Sequence, residues 1–223
     1  MKTLTRTIIT MVALSFALQT TYLHGVMLIS NLNGNDGTAT LSFTNGRNKG
    51  MGFTMPGATT YQLDNVTLRL NVPSGAASFI HPIVQIWSNT ASNFPGSSLV
   101  TLIDPSFTSS FGVANYPFTP PSAFALLPAT TYWLVVSDSN TNDFGFDWEA
   151  SSPAVTPTGL ATHFGQFFDQ DGTPPTGSST VLNSYALNAT LAPEPASGFL
   201  AILGLTSILA MRRACRPNDA QTR

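Results

Sequence analysis

The chain has 223 residues, of which only 9% are charged, and its formal net charge is −2. That charge is unevenly spread, because residues 26–192 hold three basic residues against nine acidic ones, a net charge of −6, whereas both ends are basic. So acidic a region excludes a nucleic-acid-binding protein, which needs a basic surface, and its many Phe, Leu and Val residues exclude a disordered acidic chain.

The N-terminal residues have the pattern of a secretory signal peptide. Lys2 and Arg6 precede an apolar run over residues 8–18, which is too short for a good membrane span. We therefore predict export through a translocon and removal of residues 1–25 by signal peptidase, with the cleavage site between residues 20 and 25. A retained N-terminal anchor is the alternative.

Residues 26–192 contain short apolar or alternating runs separated by turn residues, without sustained helical periodicity. The clearest run covers residues 61–72, where Val66, Leu68 and Leu70 alternate with polar residues and predict a strand with one buried face. Further strands are predicted at residues 26–29, 38–44, 50–55, 83–87, 99–103, 131–136, 144–149, 164–168 and 185–191. About ten strands without intervening helices predict one all-β domain, an antiparallel β-sandwich or jelly roll.

Four segments of this domain carry more specific expectations. The continuous apolar run 83–87 predicts a central strand covered on both faces, and the composition of residues 131–136 predicts a buried strand. The proline-rich segment around Pro117 is expected to cross the domain in an extended, irregular form. Residues 169–180, rich in Gly, Pro, Ser and Thr, are expected to form a loop.

The single cysteine, Cys215, lies near the C-terminus, so no disulfide can form within residues 26–192. We therefore expect the domain to be stabilised by packing and by hydrogen bonds between strands. Cys215 is expected to be an ordinary small residue, with lipidation as the alternative.

The C-terminal segment combines three elements in a fixed order. The first is a short acidic motif, Pro193, Glu194 and Pro195. An uncharged run rich in Leu, Ile, Ala and Gly follows over residues 196–211. The third element is a cluster of arginines, Arg212, Arg213 and Arg216.

The apolar run predicts a transmembrane helix. Residues 196–211 would reach roughly 24 Å as a helix, and local thinning of the bilayer with snorkelling arginines lets such a segment cross a hydrocarbon core of ~30 Å. The positive-inside rule places residues 217–223 in the cytoplasm and the acidic domain on the far side of the membrane. A buried helix of a soluble domain is the alternative.

This order of elements resembles the PEP-CTERM sorting signal of exopolysaccharide-producing Gram-negative bacteria, and the match covers residues 193–216. The resemblance implies that an exosortase, an integral-membrane enzyme similar to a Cys transpeptidase, cuts at the motif and releases or relocates the protein. Residues 217–223 depart from the pattern, because the family usually ends at the arginines.

The central region is similar to the choice-of-anchor surface domains of bacteria, in particular to the R type. The similarity is carried by four segments in order, residues 63–70, 84–88, 95–99 and 127–135. It implies a surface or secreted protein without assigned catalysis, and it implies no active-site residues.

One Asx-rich segment has the oxygen-ligand spacing of a calcium loop. Asp138, Asn140 and Asn142 alternate along it, and Glu149 follows eleven positions after Asp138. The sharp-turn glycine is replaced by Asp143, and the flanks are predicted strands, so a hairpin loop is favoured and calcium binding is the alternative. No other cofactor is expected.

Two carboxylates raise a catalytic hypothesis. Asp147 and Glu149 would share a strand face about 7 Å apart, a separation that an inverting glycosidase uses. Their alternation with Phe144, Phe146 and Trp148 instead predicts a strand with one solvated face. Histidine spacing does not fit a metal site, and the sequence has neither a Gly-x-Ser-x-Gly elbow nor a phosphate-binding Gly-rich loop. We therefore expect no enzymatic activity.

Aromatic residues provide an alternative function, stacking against sugar rings, and the five considered are Tyr61, Trp87, Tyr132, Trp133 and Trp148. Four of them fall inside apolar strand patterns, which predicts core packing. Trp148 is expected to be the most exposed and is therefore the candidate stacking residue.

The sequence as a whole predicts an exported, non-catalytic protein of the cell surface or the exopolysaccharide matrix, transiently anchored in the membrane and processed by an exosortase. A carbohydrate-binding module acting on extracellular polysaccharide is the alternative. The predicted divisions are a signal peptide (1–25), an extracytoplasmic domain (26–192), a sorting signal (193–216) and a cytoplasmic tail (217–223).

Overall fold

The computed structural model describes most of the central region of the chain. The described residues are 25–32, 41–42, 47–72, 82–105, 107, 112–138, 146–150, 153–170, 177–178 and 180–192. They form fourteen strands and no helix, and every strand pairing among them is antiparallel. The prediction of an all-β, antiparallel fold is confirmed. The predicted signal peptide before Gly25, the sorting signal and the cytoplasmic tail lie outside these residues.

The strands form two sheets. In chain order they are β1 (Val26–Ser30), β2 (Leu41–Ser42), β3 (Arg47–Thr54), β4 (Tyr61–Val72), β5 (Pro82–Asn89), β6 (Pro95–Thr101), β7 (Gly112–Phe118), β8 (Ala125–Leu126), β9 (Thr131–Asp138), β10 (Asp147–Trp148), β11 (Thr158–Gly159), β12 (Thr162–Gln170), β13 (Gly177–Ser178) and β14 (Tyr185–Leu191). The first sheet has the order β11-β1-β14-β4-β10-β2, with β7 and β8 also paired to β4. The second has the order β13-β12-β3-β9-β5-β6. Buried side chains of both sheets form one contiguous core, so the sheets pack face to face.

Strand β4 is the centre of the first sheet and has the bounds that the period-two pattern predicts. Its Val66, Leu68 and Leu70 are fully buried in the core, and the residues between them are half-buried. Along one side, β4 pairs first with β14 and then, beyond Leu68, with β10; along the other it pairs with β8 and β7. Successive side chains of β4 therefore alternate between the buried core and the solvated face, as the sequence predicts.

The segment around Pro117 is more regular than expected. Pro117 lies within β7, opposite Thr67 of β4, so the prediction of an irregular crossing is wrong for this stretch. Within the described part of the chain β7 pairs with β4 alone. A proline is tolerated in such an edge strand because no neighbouring strand on the open side needs a hydrogen bond from its missing N–H.

Strand β9 lies at the middle of the second sheet, and its residues from Tyr132 to Val136 are all buried, as predicted. The prediction for its neighbour β5 is wrong. Val84 and Ile86 are buried, whereas Gln85 and Trp87 are half-buried, so β5 is covered on one face only. The reason is its position beside the edge strand β6, where no further element described in the structure covers the outer face.

Four of the described strands have no counterpart in the sequence prediction. Three of them, β8, β11 and β13, are two residues long, and two residues carry no detectable periodicity. Strand β13 lies inside residues 169–180, the stretch predicted as a loop. The first two residues of that stretch, 169 and 170, belong to the end of β12. The fourth, β7, was obscured by its proline.

A buried amide joins the two ends of the domain. The Asn31 side chain is 4% exposed; its Nδ2 donates to the carbonyl oxygens of Val155 and Asn183, each at 3.1 Å, and its Oδ1 accepts from the Tyr185 backbone N–H at 2.9 Å. Three distant segments are thereby held by one side chain. No disulfide can form in this region. Packing and buried hydrogen bonds such as these therefore stabilise the domain together.

We predict that Asn31→Ala lowers the free energy of unfolding by about 2–4 kcal/mol, because it removes the hydrogen-bond partner of the buried Asn183 carbonyl and Tyr185 N–H. Urea denaturation measures the change. Asn115→Ala is the matched control, since this exposed asparagine accepts only a surface hydrogen bond from Arg69 and should change stability by no more than about 0.5 kcal/mol. Equal effects of the two substitutions would contradict the structural role of Asn31.

Candidate functional site

The face of the second sheet that points away from the core carries side chains that we call the outer aromatic cluster: Trp87, Trp133, Val135, Phe164 and Phe167. Successive side chains of a strand alternate between faces. On β9, Tyr132, Leu134 and Val136 therefore join the core, whereas Trp133 and Val135 belong to a separate cluster with Phe167 and the half-buried Trp87. Strand pairing sets Trp87 of β5 directly opposite Trp133.

Glycines of β3 make room for this cluster. Gly50 lies opposite Val135 on one side and Phe167 on the other, and Gly52 lies opposite Trp133. A Cβ atom at Gly50 would overlap the Phe167 ring, and one at Gly52 would press on Phe164 and Trp133 at 3.1 Å. The rings therefore lie over bare backbone, a close approach that only glycine permits.

The rings of the cluster meet edge to face. The Trp133 centroid is 5.7 Å from that of Phe164, with an interplanar angle of 83°, and 5.6 Å from that of Phe167, with an angle of 76°. This is the arrangement that aromatic quadrupoles favour. Trp133 and Phe167 are buried, whereas Phe164 is 38% exposed and Trp87 is half-buried. The cluster thus has a fixed interior and two ring surfaces that reach solvent.

Polar side chains hold the two indoles. The Trp87 Nε1 donates to Gln85 Oε1 at 2.9 Å, and Gln85 Nε2 donates in turn to Thr101 Oγ1 at 2.8 Å. The Trp133 Nε1 donates to Asn89 Oδ1 at 2.8 Å. The exposed part of the cluster is therefore bordered by uncharged amides and a hydroxyl.

The outer face of the first sheet has a different character. Neighbouring side chains there pair by hydrogen bonds, from Asn188 Nδ2 to Asn65 Oδ1 at 2.9 Å and from Thr190 Oγ1 to Asp64 Oδ1 at 3.2 Å. Such a polar ladder is what a solvated antiparallel face normally shows. The outer face of the second sheet carries the outer aromatic cluster instead.

The prediction that Trp148 is an exposed stacking residue is wrong. Trp148 is fully buried, and its Nε1 donates to the Ser184 carbonyl at 2.9 Å. Strand β10 pairs with both β4 and β2, so its tryptophan is directed into the core beside Leu70. Tyr61 and Tyr132 are core residues, as the packing hypothesis predicts, and of the five aromatic residues considered only Trp87 keeps substantial exposed surface.

The two carboxylates do not lie together on a wet face. Glu149 is 3% exposed, its backbone N–H donates to Arg69 and its carbonyl accepts from Ser184. Asp147 is half-buried and accepts a hydrogen bond from Asn71 at 3.4 Å. The prediction of a solvated face is therefore wrong for Glu149, because β10 lies inside the sheet rather than along an open edge.

The calcium hypothesis concerns residues that are only partly described. Asp138 ends β9, Glu149 is buried, and Asn140 and Asn142 lie outside the described residues. Within the described ranges no three His, Cys, Asp or Glu side chains are grouped so that they could hold a metal ion. The hairpin loop stays the prediction for this segment, with calcium binding as its alternative.

Comparison of the sequence with protein-family models and with curated proteins gives no match. Among the residues that the structure describes, no helix has the length and apolar character needed to cross a membrane. The sorting motif Pro193, Glu194 and Pro195, the apolar run 196–211 and the three arginines after it are not among those residues, so their roles stay predictions.

Sequence analysis missed a buried charge. Lys49 of β3 is 1% exposed, its Nζ donates to the Val181 carbonyl at 3.1 Å, and burial lowers its pKa to about 8. The one available signal was the position of this lysine directly before the predicted glycine-interrupted strand, residues 50–55. His163, whose Nε2 lies 3.1 Å from Gln166 Oε1, also has a pKa lowered by burial. In both cases burial disfavours the charged form.

We predict that Gly50→Ala destabilises the protein by about 1–3 kcal/mol, because the added methyl displaces the Phe167 ring from its contact with Trp133. Gly57→Ala is the matched control, since a Cβ atom there meets nothing within 4 Å. Chemical denaturation compares the two variants with the parent protein. Similar stabilities of both variants would show that β3 does not need glycine under the cluster.

Lys49 should give stability a distinctive pH dependence. Its folded pKa of about 8 lies below its ordinary value of 10.5, so between these two pH values the unfolded chain binds more protons and stability rises with pH. Burial of Tyr185 raises the pKa of its phenol, which makes stability fall above pH ~10. The measurement is therefore confined to pH 7–9.5.

We predict that Lys49→Met removes this rise and stabilises the protein at pH 7 by up to about 3 kcal/mol, reduced by about 1 kcal/mol for the lost hydrogen bond to Val181. Arg47→Met on the same strand is the control, because this variant keeps Lys49 and the rise should persist. Thermal or urea unfolding at several pH values measures the slopes. An unchanged slope in Lys49→Met would contradict the assignment.

Proposed function

We propose that this protein is an exported, non-catalytic β-sandwich protein of the cell surface or the exopolysaccharide matrix. In this proposal residues 196–211 anchor it transiently in the membrane, and an exosortase cuts at Pro193, Glu194 and Pro195. The single observation that carries the proposal is the order of motif, apolar run and arginine cluster directly after a folded acidic domain.

The position of the motif relative to the fold supports the proposal. The last strand, β14, ends at Leu191, and the motif begins two residues later at Pro193. Since β14 lies between β1 and β4, the chain leaves the interior of the first sheet immediately before the motif. Cleavage there would keep every described strand in the released product.

The chemistry of the domain also favours a non-catalytic role. Glu149, one half of the carboxylate pair considered for a glycosidase, is 3% exposed and is therefore out of reach of a polysaccharide chain. The domain draws its cohesion from one shared core and from buried hydrogen bonds such as those of Asn31, neither of which depends on a disulfide. Such a domain is suited to folding after export without oxidative help.

Polysaccharide binding is the second candidate function. The observation that favours it is the pair of ring surfaces, Phe164 and Trp87, on the outer face of the second sheet. The two candidates are compatible, because a matrix protein needs a means of staying in the matrix.

We predict that the mature protein from an exosortase-containing host ends within or next to residues 193–195, whereas a host lacking the enzyme keeps the full C-terminus in its membrane fraction. Intact-mass measurement of both fractions tests this. Glu194→Ala should abolish most processing, and Asp219→Ala, an acidic residue beyond the arginines, should leave it unchanged. A full-length C-terminus that persists in the competent host removes the processing proposal.

A further inference from the structure

The exposed rings of the outer aromatic cluster have an unusual setting. An exposed antiparallel face is normally polar, as the first sheet shows with its paired Asn, Thr and Asp side chains. The second sheet instead presents Phe164, 38% exposed, and the half-buried Trp87. Aromatic side chains with an apolar body and a polar handle, such as tryptophan, are enriched at binding interfaces.

The composition of the rim selects the kind of ligand. Gln85, Asn89 and Thr101 border the rings with amides and a hydroxyl, and each of these groups can accept or donate further hydrogen bonds. A pyranose ring combines a C–H face, which packs on an aromatic ring, with a perimeter of hydroxyls, which such side chains bind. Because residues 26–192 carry a net charge of −6, an acidic polysaccharide would be repelled and a neutral one is favoured.

The size of the exposed surface argues against a second copy of the protein as the occupant. Two partly exposed aromatic side chains offer on the order of 150 Å² of ring surface, whereas a stable protein interface buries about 800 Å² on each partner. A polysaccharide needs only a few stacked rings and their hydroxyl contacts.

The spacing of the two rings points to an extended chain. Phe164 lies 5.7 Å from Trp133, and Trp87 is the direct cross-strand neighbour of Trp133, which places the two exposed rings on the order of 10 Å apart. Between them the Trp133 ring lies over the glycine backbone at Gly52 and Gly165, which face each other across β3 and β12. This geometry can accommodate several consecutive sugar rings lying across the strands.

We propose that Trp87 and Phe164 form a binding platform for a neutral polysaccharide, with Gln85, Asn89 and Thr101 binding its hydroxyls. The proposal rests on the proposed function and deepens it, because it names what the exported domain would hold in the matrix. The platform is preorganised: the buried Trp133 supports Phe164, and Gln85 fixes the Trp87 indole through its Nε1. Little conformational entropy is then lost on binding.

The test uses the full chain in detergent micelles, with soluble mixed-linkage β-glucan and galactomannan as neutral probes and polygalacturonate as the acidic one. We expect binding to at least one neutral probe, weakened about tenfold or more by Trp87→Ala and clearly weakened by Phe164→Ala. Val113→Ala is the matched control, because this residue is 40% exposed and lies on the first sheet; it should bind like the parent. Unchanged melting temperatures of the variants exclude loss of folding as the cause.

Several results would overturn the proposal. These are no binding to either neutral probe, preference for polygalacturonate, equal losses in Val113→Ala, or self-association that the two aromatic variants abolish. The intact-mass experiment on processing is independent: a protein that is cut but binds neither neutral probe loses only this inference, and one that binds but is never cut loses only the sorting proposal.

Discussion

The burial of β9 on both faces is the constraint on which the second sheet depends. Leu134 and its core-facing neighbours are covered by the first sheet, but Trp133 points the other way and needs a cover of its own. Phe164 and Phe167 provide it from β12, two strands away. Their rings can reach Trp133 only because the intervening strand β3 has glycine where other strands have side chains.

This cover is incomplete, so part of the aromatic cluster stays exposed. The ring surfaces of Phe164 and Trp87 stay in contact with water, while the first sheet pairs its outward side chains by hydrogen bonds. The outer faces of the two sheets therefore differ in their side chains.

Sequence patterns predicted the strands that carry a strong periodic or continuous apolar signal. The bounds of β4 and β14 are those expected, and β9 extends only two residues further. Predictions failed where the outcome depends on the neighbouring strand. Pro117 is compatible with a strand because that strand lies at an edge. The apolar run of β5 is covered on only one side because β5 lies beside an edge strand. Neither fact is written in the local sequence.

The sequence by itself determined the all-β, antiparallel class, since alternation and turn residues are local properties of the chain. It also carries the order of motif, apolar run and arginines on which the sorting proposal rests. Only the tertiary structure decided which aromatic residues face water, burying Trp148 beside Leu70 and leaving Trp87 half-exposed. A period-two pattern shows that successive side chains point to opposite faces of the strand. Which of the two faces is covered depends on strands that are distant in sequence.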